Sequence, residues 1–205
     1  PPGDAQRVMF PALAAANGFD AGRVTWVNID PAAKYAALAS RQVDAIVDYS
    51  TGQPFVENAV GKGQAVRILW ADHGVDLYGN AIIVNNEFLS QNPDAVRGWL
   101  DATYRAWQYT MEHPDEAIAI LKKHVPQIDP AQYRANLDLV FELFKSPRYA
   151  QNGLGWISEE QMCFSVDLVV RYLEVPGRVD CRAIFTNAYL TRYELPSAFR
   201  PAGNP

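Results

Sequence analysis

Three short β-rich runs crowd into the first third of the chain: Val24-Thr25-Trp26-Val27-Asn28-Ile29, Val43-Asp44-Ala45-Ile46-Val47 and Val66-Arg67-Ile68-Leu69-Trp70. Each is followed or flanked by helix-forming sequence. Asp30-Pro31 closes the first run as cap and first helical residue of a helix over 31–41, which sets Tyr35 and Leu38 on one face. The second run is nearly all apolar, as a parallel strand covered on both faces would be. Past it, the polar loop 48–53 leads to Pro54 and a short helix to about Val60, closed by Gly61-Lys62-Gly63. With Val66–Trp70 as a third strand after that helix, three βα-type units in about seventy residues predict a small doubly wound α/β layer. Residues 71–79 are a polar, glycine-bearing connection, and Asn80-Ala81-Ile82-Ile83-Val84 reads as one more strand.

Ahead of the first run, Gly3 permits a tight turn and Asp4 is a good N-cap. A helix is expected from about Ala5 to Asn17, with Val8, Met9, Phe10 and Leu13 to bury and Gly18 as its stop. Pro11 is an internal flaw where a kink or an early break is expected. Pro1-Pro2-Gly3-Asp4-Ala5-Gln6-Arg7 thus reads as a glycine turn onto a helix end that presents backbone N–H groups to a ligand. A natural domain rarely starts on such a feature, so further sequence upstream is expected.

From Asn85 onward the character changes. Helical start signals recur at Asn92-Pro93, His113-Pro114, Asp129-Pro130 and Ser158-Glu159-Glu160-Gln161. Between them lie amphipathic stretches carrying Trp99, Leu100, Thr103 and Trp107; Ile118 and Leu121; Leu137, Val140, Phe141 and Phe144; and Val166, Val169, Val170 and Leu173. The second half is expected to be a helical layer. Its segments differ in length and share no fixed period, which argues against a tandem repeat. Trp26, Trp70 and Trp99 are expected in the core.

Charge and motifs narrow the function. A net charge of −5 argues against a nucleic-acid binder or a basic membrane-surface patch. His73, His113 and His124 are far apart, with no metal-ligand spacing. Neither a G-x-S-x-G elbow nor a Walker pattern occurs, and no catalytic triad is evident, so no catalytic residue, metal or cofactor is expected. Cys163 and Cys181 could make a single bridge in an exported protein but are read first as two partly buried free thiols: a helical hairpin over 159–174 and 179–190, turning at Pro176-Gly177, would set Cys163 opposite residues near 189.

In an open α/β layer, ligands sit at the carboxyl ends of the strands. That rule selects Asn28 and Asp30 after the first strand, residues 48–51 after the second and 72–78 after the third, with the loop at Gly3, Asp4, Ala5 and Gln6 beside them. Asp4 and Asp30 read first as helix caps. Arg7 is the basic residue near the loop, either an anion holder or a solvated helix residue. Tyr49 offers a stacking face and Asp48 an acceptor for an amine, with Ser50 next in the loop; Asp76 and Tyr78 precede the strand at Asn80. Acidic and aromatic candidates outnumber the single cation, which favours an amino-bearing aromatic ring over sulfonate or nitrate.

The segments Pro1-Pro2-Gly3-Asp4-Ala5-Gln6-Arg7, Val27-Asn28-Ile29-Asp30-Pro31-Ala32-Ala33-Lys34-Tyr35-Ala36-Ala37-Leu38, Val43-Asp44-Ala45-Ile46-Val47, Tyr78-Gly79-Asn80-Ala81-Ile82-Ile83-Val84, Phe88-Leu89-Ser90-Gln91-Asn92-Pro93 and Asn152-Gly153-Leu154-Gly155-Trp156 together resemble the solute-binding proteins of bacterial ABC importers. The branch that they resemble includes binding proteins for thiamine pyrimidine precursors, alkanesulfonates, taurine and nitrate. The resemblance implies a periplasmic-binding-protein-like (type II) α/β fold, with residues 1–79 as most of the second lobe. Residues 80–205 would be the hinge return strand and the C-terminal helices of the first lobe. It also implies a non-enzymatic protein, periplasmic or lipid-anchored outside the cytoplasm, that closes on a small molecule in an interlobe cleft and meets the ABC permease. The family's N-terminal segment is not found here, so the helices after Asn85 are expected to lack a sheet to cover them, leaving a face for self-association. Two alternatives are a pyrimidine synthase-like enzyme of thiamine biosynthesis and a ligand-sensing module of a larger receptor.

Overall fold

The structure, a computed structural model, describes residues 3–173 and 175–199, so Pro1 and Pro2 of the opening turn lie outside the described residues. Helices α1 (Ala5–Ala16), α2 (Lys34–Ala39), α3 (Gln53–Val60), α4 (Asn86–Gln91), α5 (Pro93–Glu112), α6 (Pro114–His124), α7 (Pro130–Phe144), α8 (Pro147–Asn152) and α9 (Glu159–Tyr172) follow in order, with short 3₁₀ turns between them. None of these is long and apolar enough to cross a membrane. The chain divides into two units, Pro1–Gly79 with Glu159–Ile184, and Asn80–Ser158 with Phe185–Pro205.

The doubly wound α/β sheet expected of residues 1–79 is not there: among the described residues no strand forms, and the fold is helical. The β-rich runs do take extended backbone at their edges, with φ −96° and ψ 121° at Val24 and φ −84° and ψ 122° at Leu69. Extended dihedrals are a local preference, whereas a sheet needs a second strand in register to accept its N–H groups. Without that ladder the side chains meant for a core face water, Val66 at 91% and Ile83 at 92% exposure.

In the first unit, α1 is built by its ends. Asp4 caps it, and at the other end Gly18 takes φ +70° while Phe19 N–H donates to Ala14 O and Gly18 N–H to Ala15 O, the double bond of a Schellman stop. The helix runs unbroken through Pro11, which sits on its exposed face. Met9, Ala12 and Leu13, spaced three and four apart, form its buried stripe and pack with Val75 and Leu168, flanked by Phe10, Trp70, Leu77, Val169 and Tyr172. Leu168, Val169 and Tyr172 come from α9, which lies against α1.

Cys163 on α9 is bridged to Cys181, with Cα atoms 4.9 Å apart, which corrects the free-thiol expectation. The helical hairpin behind that expectation does not form, since residues 179–190 hold no helix. From Cys163 to Tyr172 the helix rises about 14 Å. Over the non-helical stretch 179–190 the chain is back at that height by Cys181.

In the second unit the amphipathic helices do find cover. Val96, Leu100, Tyr104 and Met111 of α5, Ile118 of α6, and Leu137 and Phe141 of α7 are buried together with Leu154, Leu195 and Phe199. Their apolar faces close on one another and need no sheet. Trp26 and Trp70 are half-buried, but Trp99 is exposed, to the side of this stripe on α5. The Asn152-Gly153-Leu154-Gly155-Trp156 segment is seated by its glycines: Gly153 and Gly155 take φ +90° and +83°, and the Tyr104 hydroxyl lies where a Cβ on Gly155 would stand.

Candidate functional site

The opening turn places Gly3 at φ +87° and swings Asp4 over the first turn of α1. Asp4 Oδ1 accepts from Gln6 N–H at 3.1 Å and Arg7 N–H at 3.3 Å. Two donors of the helix end are thus already engaged by a carboxylate, and an incoming anion would meet that charge. Ala5 is exposed and Gln6 half-buried.

One turn in, the Arg7 side chain reaches across to the end of the first β-rich run. Its guanidinium lies over the Trp26 ring, 5.2 Å from the centroid, and Nη1 donates to Asn28 Oδ1 at 2.5 Å. Trp26 is itself held edge-on by Phe10, with ring centroids 5.2 Å apart and planes at 89°. Phe10 comes from the same helix as Arg7, so α1 orients both the ring and the cation that covers it.

A second group gathers around Asp48. Its Oδ1 accepts from Lys34 Nζ and from Tyr49 N–H, each at 2.8 Å, and its Oδ2 from the Tyr35 hydroxyl at 2.8 Å. Lys34 and Tyr35 begin α2, and Tyr35 stacks on Phe55 of α3 at 5.8 Å and 19° between planes. Gly52 is required here, because a Cβ would strike the Asp48 carboxylate. The Tyr49 side chain is 52% exposed beside Gly79. Ser50 opens the 3₁₀ turn Ser50–Gly52, and Tyr78 is half-buried one residue before Gly79. Asp76 is exposed, and its backbone oxygen accepts from Gln161 Nε2 of α9 at 2.5 Å.

Among the sequence candidates, Arg7 is therefore joined to Asn28, and Asp48 to Tyr49. These two groups share no residue. Sequence reasoning missed Lys34 and Tyr35 as partners of Asp48, and it read Trp26 as core alone. The one available signal for Lys34 was its position just after Asp30-Pro31, at the start of a helix that follows a β-rich run. The tyrosines with displaced ionisation, Tyr104, Tyr109 and Tyr193, lie in the second unit; burial first, then Tyr149, raises Tyr104.

The chain is similar to the riboflavin-binding protein RibY of Chloroflexus aurantiacus, 28% identical over 158 residues that cover 76% of this chain and 44% of that protein. It thus spans less than half the length of that relative. No solved structure matches. The family model described as NMT1/THI5 like matches residues 1–117, more than half of the chain and a stretch that contains both side-chain groups, and on that extent the chain belongs to the NMT1/THI5-like family.

Proposed function

We propose that this chain belongs to the solute-binding component of an ABC importer and that its solute is a planar nitrogen heteroaromatic containing a pyrimidine ring. The observation that carries this reading is the family match over residues 1–117, which takes in every candidate ligand residue from Gly3 to Tyr78. A relative named for riboflavin binding and a resemblance to binders of thiamine pyrimidine precursors share one chemical element, the pyrimidine ring. Tyr49, half-exposed beside Gly79, supplies an aromatic face for such a ring. Asp4 at the helix end works against sulfonate or nitrate. Because Cys163 is bridged, it offers no thiol to a synthase-like reaction, and the bridge supports an oxidising, extracytoplasmic location. The permease is the expected protein partner. Self-association has less to act on, since the helices after Asn85 bury their apolar stripes within their own unit.

The test is a titration of the full chain, followed by intrinsic tryptophan fluorescence, with riboflavin, an aminopyrimidine thiamine precursor, taurine and nitrate. Saturable binding of either heteroaromatic, with none for taurine or nitrate, is expected. Binding of the anions alone would overturn the proposal, and so would release of a non-aromatic solute on denaturing the purified protein, read by mass spectrometry.

A further inference from the structure

We infer that Arg7 and Asn28 form a donor-rich edge, which selects a heteroaromatic ligand by neutral carbonyl groups, such as a pyrimidine-2,4-dione edge, over one bearing ring amino groups. The inference rests on the heteroaromatic reading above and deepens it.

A guanidinium can only donate, so the Asn28 atom that faces it at 2.5 Å is the amide oxygen. That bond settles the orientation of the amide and leaves Nδ2, with its two hydrogens, as the group that Asn28 offers elsewhere. Asn28 takes one of the five N–H donors of Arg7, and the remainder carry the same polarity. The pair therefore presents the remaining hydrogens of Arg7 and both Nδ2 hydrogens against the one lone pair that Asn28 Oδ1 keeps. A ligand carbonyl meets those hydrogens, whereas a ring amino group covering them sets donor against donor and finds only the one remaining lone pair.

Three further features sharpen the choice. The guanidinium is pinned over Trp26, which Phe10 holds in turn, so its donors are aimed before a ligand arrives. Asp4 lies one helical turn before Arg7, bonded to two backbone N–H groups, and Asp30 lies two residues after Asn28, bonded to one. Their charge disfavours an oxyanion and leaves a neutral carbonyl as the matching acceptor. Asp48, the acceptor that would have welcomed an amino group, already receives Lys34, Tyr35 and the Tyr49 N–H.

Lumazine (pteridine-2,4-dione) and 2,4-diaminopteridine share one ring system and differ at that edge. Fluorescence titration of the full chain at neutral pH is expected to give a preference of about tenfold or more for lumazine, the scale of one or two matched hydrogen bonds. Asn28→Asp keeps an acceptor for Arg7 and removes both Nδ2 hydrogens; Asn28 is exposed, so far-UV circular dichroism should not change. That variant is expected to lose most of the preference, and Arg7→Lys part of it. Equal binding of the two pteridines by the wild type, or a preference unmoved by Asn28→Asp, overturns the donor-edge inference while the heteroaromatic reading stands. Binding of the aminopyrimidine precursor with neither pteridine likewise overturns the donor-edge inference alone, and if the wild type binds none of the pteridines, riboflavin and the aminopyrimidine, the heteroaromatic reading itself falls, and the inference with it.

Discussion

Replacing both bridged cysteines by serine isolates what the covalent link does for the first unit. The bridge spans a sequence separation of 18, and closing a loop of that length removes enough freedom from the unfolded chain to stabilise the fold by about 3 kcal/mol at 25 °C. The effect should be felt locally. Arg182, next to the bridge, pairs with Glu159 at 2.7 Å in the first turn of α9, and α9 in turn carries Leu168, Val169 and Tyr172 onto α1. With the link gone, the exposed Arg182–Glu159 pair is too well solvated to hold the loop alone. Amide hydrogen exchange measures this segment by segment. Protection of α9 and α1 is expected to fall in Cys163→Ser/Cys181→Ser by a factor of about 100, the equivalent of roughly 3 kcal/mol, with α5, α6 and α7 unchanged. The wild type in reductant should match the variant. Equal protection of α9 in the two proteins, within about 0.5 kcal/mol, would refute the loop-closure argument. A thiol assay that titrates both cysteines in the unreduced, unfolded protein would refute the bridge.

Three other outcomes follow from packing and ionisation. Leu13→Ala, in the buried stripe of α1, is expected to cost about 2–5 kcal/mol in urea unfolding read by tryptophan fluorescence, and a loss below about 1 kcal/mol would mean that α1 is not packed as described. Gly155→Ala places a methyl group at φ +83° and against the Tyr104 hydroxyl, so a thermal midpoint lowered by several degrees is expected; adding Tyr104→Phe should recover part of the loss, because the clashing oxygen is gone, and no recovery would place the strain in the backbone alone. Burial raises Tyr104 above its ordinary value of about 10. The unfolded tyrosine then releases its proton first, so this group's stabilisation is whole below about pH 10 and is lost as pH climbs through the raised folded value. Tyr104→Phe is expected to move the onset of alkaline unfolding upward, and an unchanged onset would remove Tyr104 from the account.

What could be read from the chain was what its neighbours in sequence decide. Asp4, Asp30 and Asp129 each bond an N–H within three residues, and the starts at Pro93, Pro114 and Pro130 follow from the missing N–H of proline, so those helix beginnings were legible without a fold. The β-rich runs carry the same kind of local information, and it was not enough. A strand is completed by a partner remote in sequence, and Val24, Val66 and Ile68 remain exposed where that partner is lacking.

The same distinction divides the candidate site. Read alone, Asp48 at the end of an apolar run is an acceptor waiting for an amine, but fourteen residues earlier Lys34 starts a helix that delivers an ammonium and, one residue on, a phenol to that carboxylate. Arg7 could be read equally as an anion holder or a solvated helix residue, because both readings treat it by itself. Twenty-one residues separate it from Asn28, and only the hydrogen bond between them, made by a guanidinium held over Trp26, turns a cation and an amide into an edge rich in donors. The sign of the amide is then a consequence of the guanidinium's chemistry: its oxygen faces Arg7, and its Nδ2 hydrogens are what it offers to another partner. A count of acids against bases along the chain therefore points to an amino-bearing ligand, while the hydrogen bonds already made around those acids, and the one made by Arg7, point to a ligand that accepts.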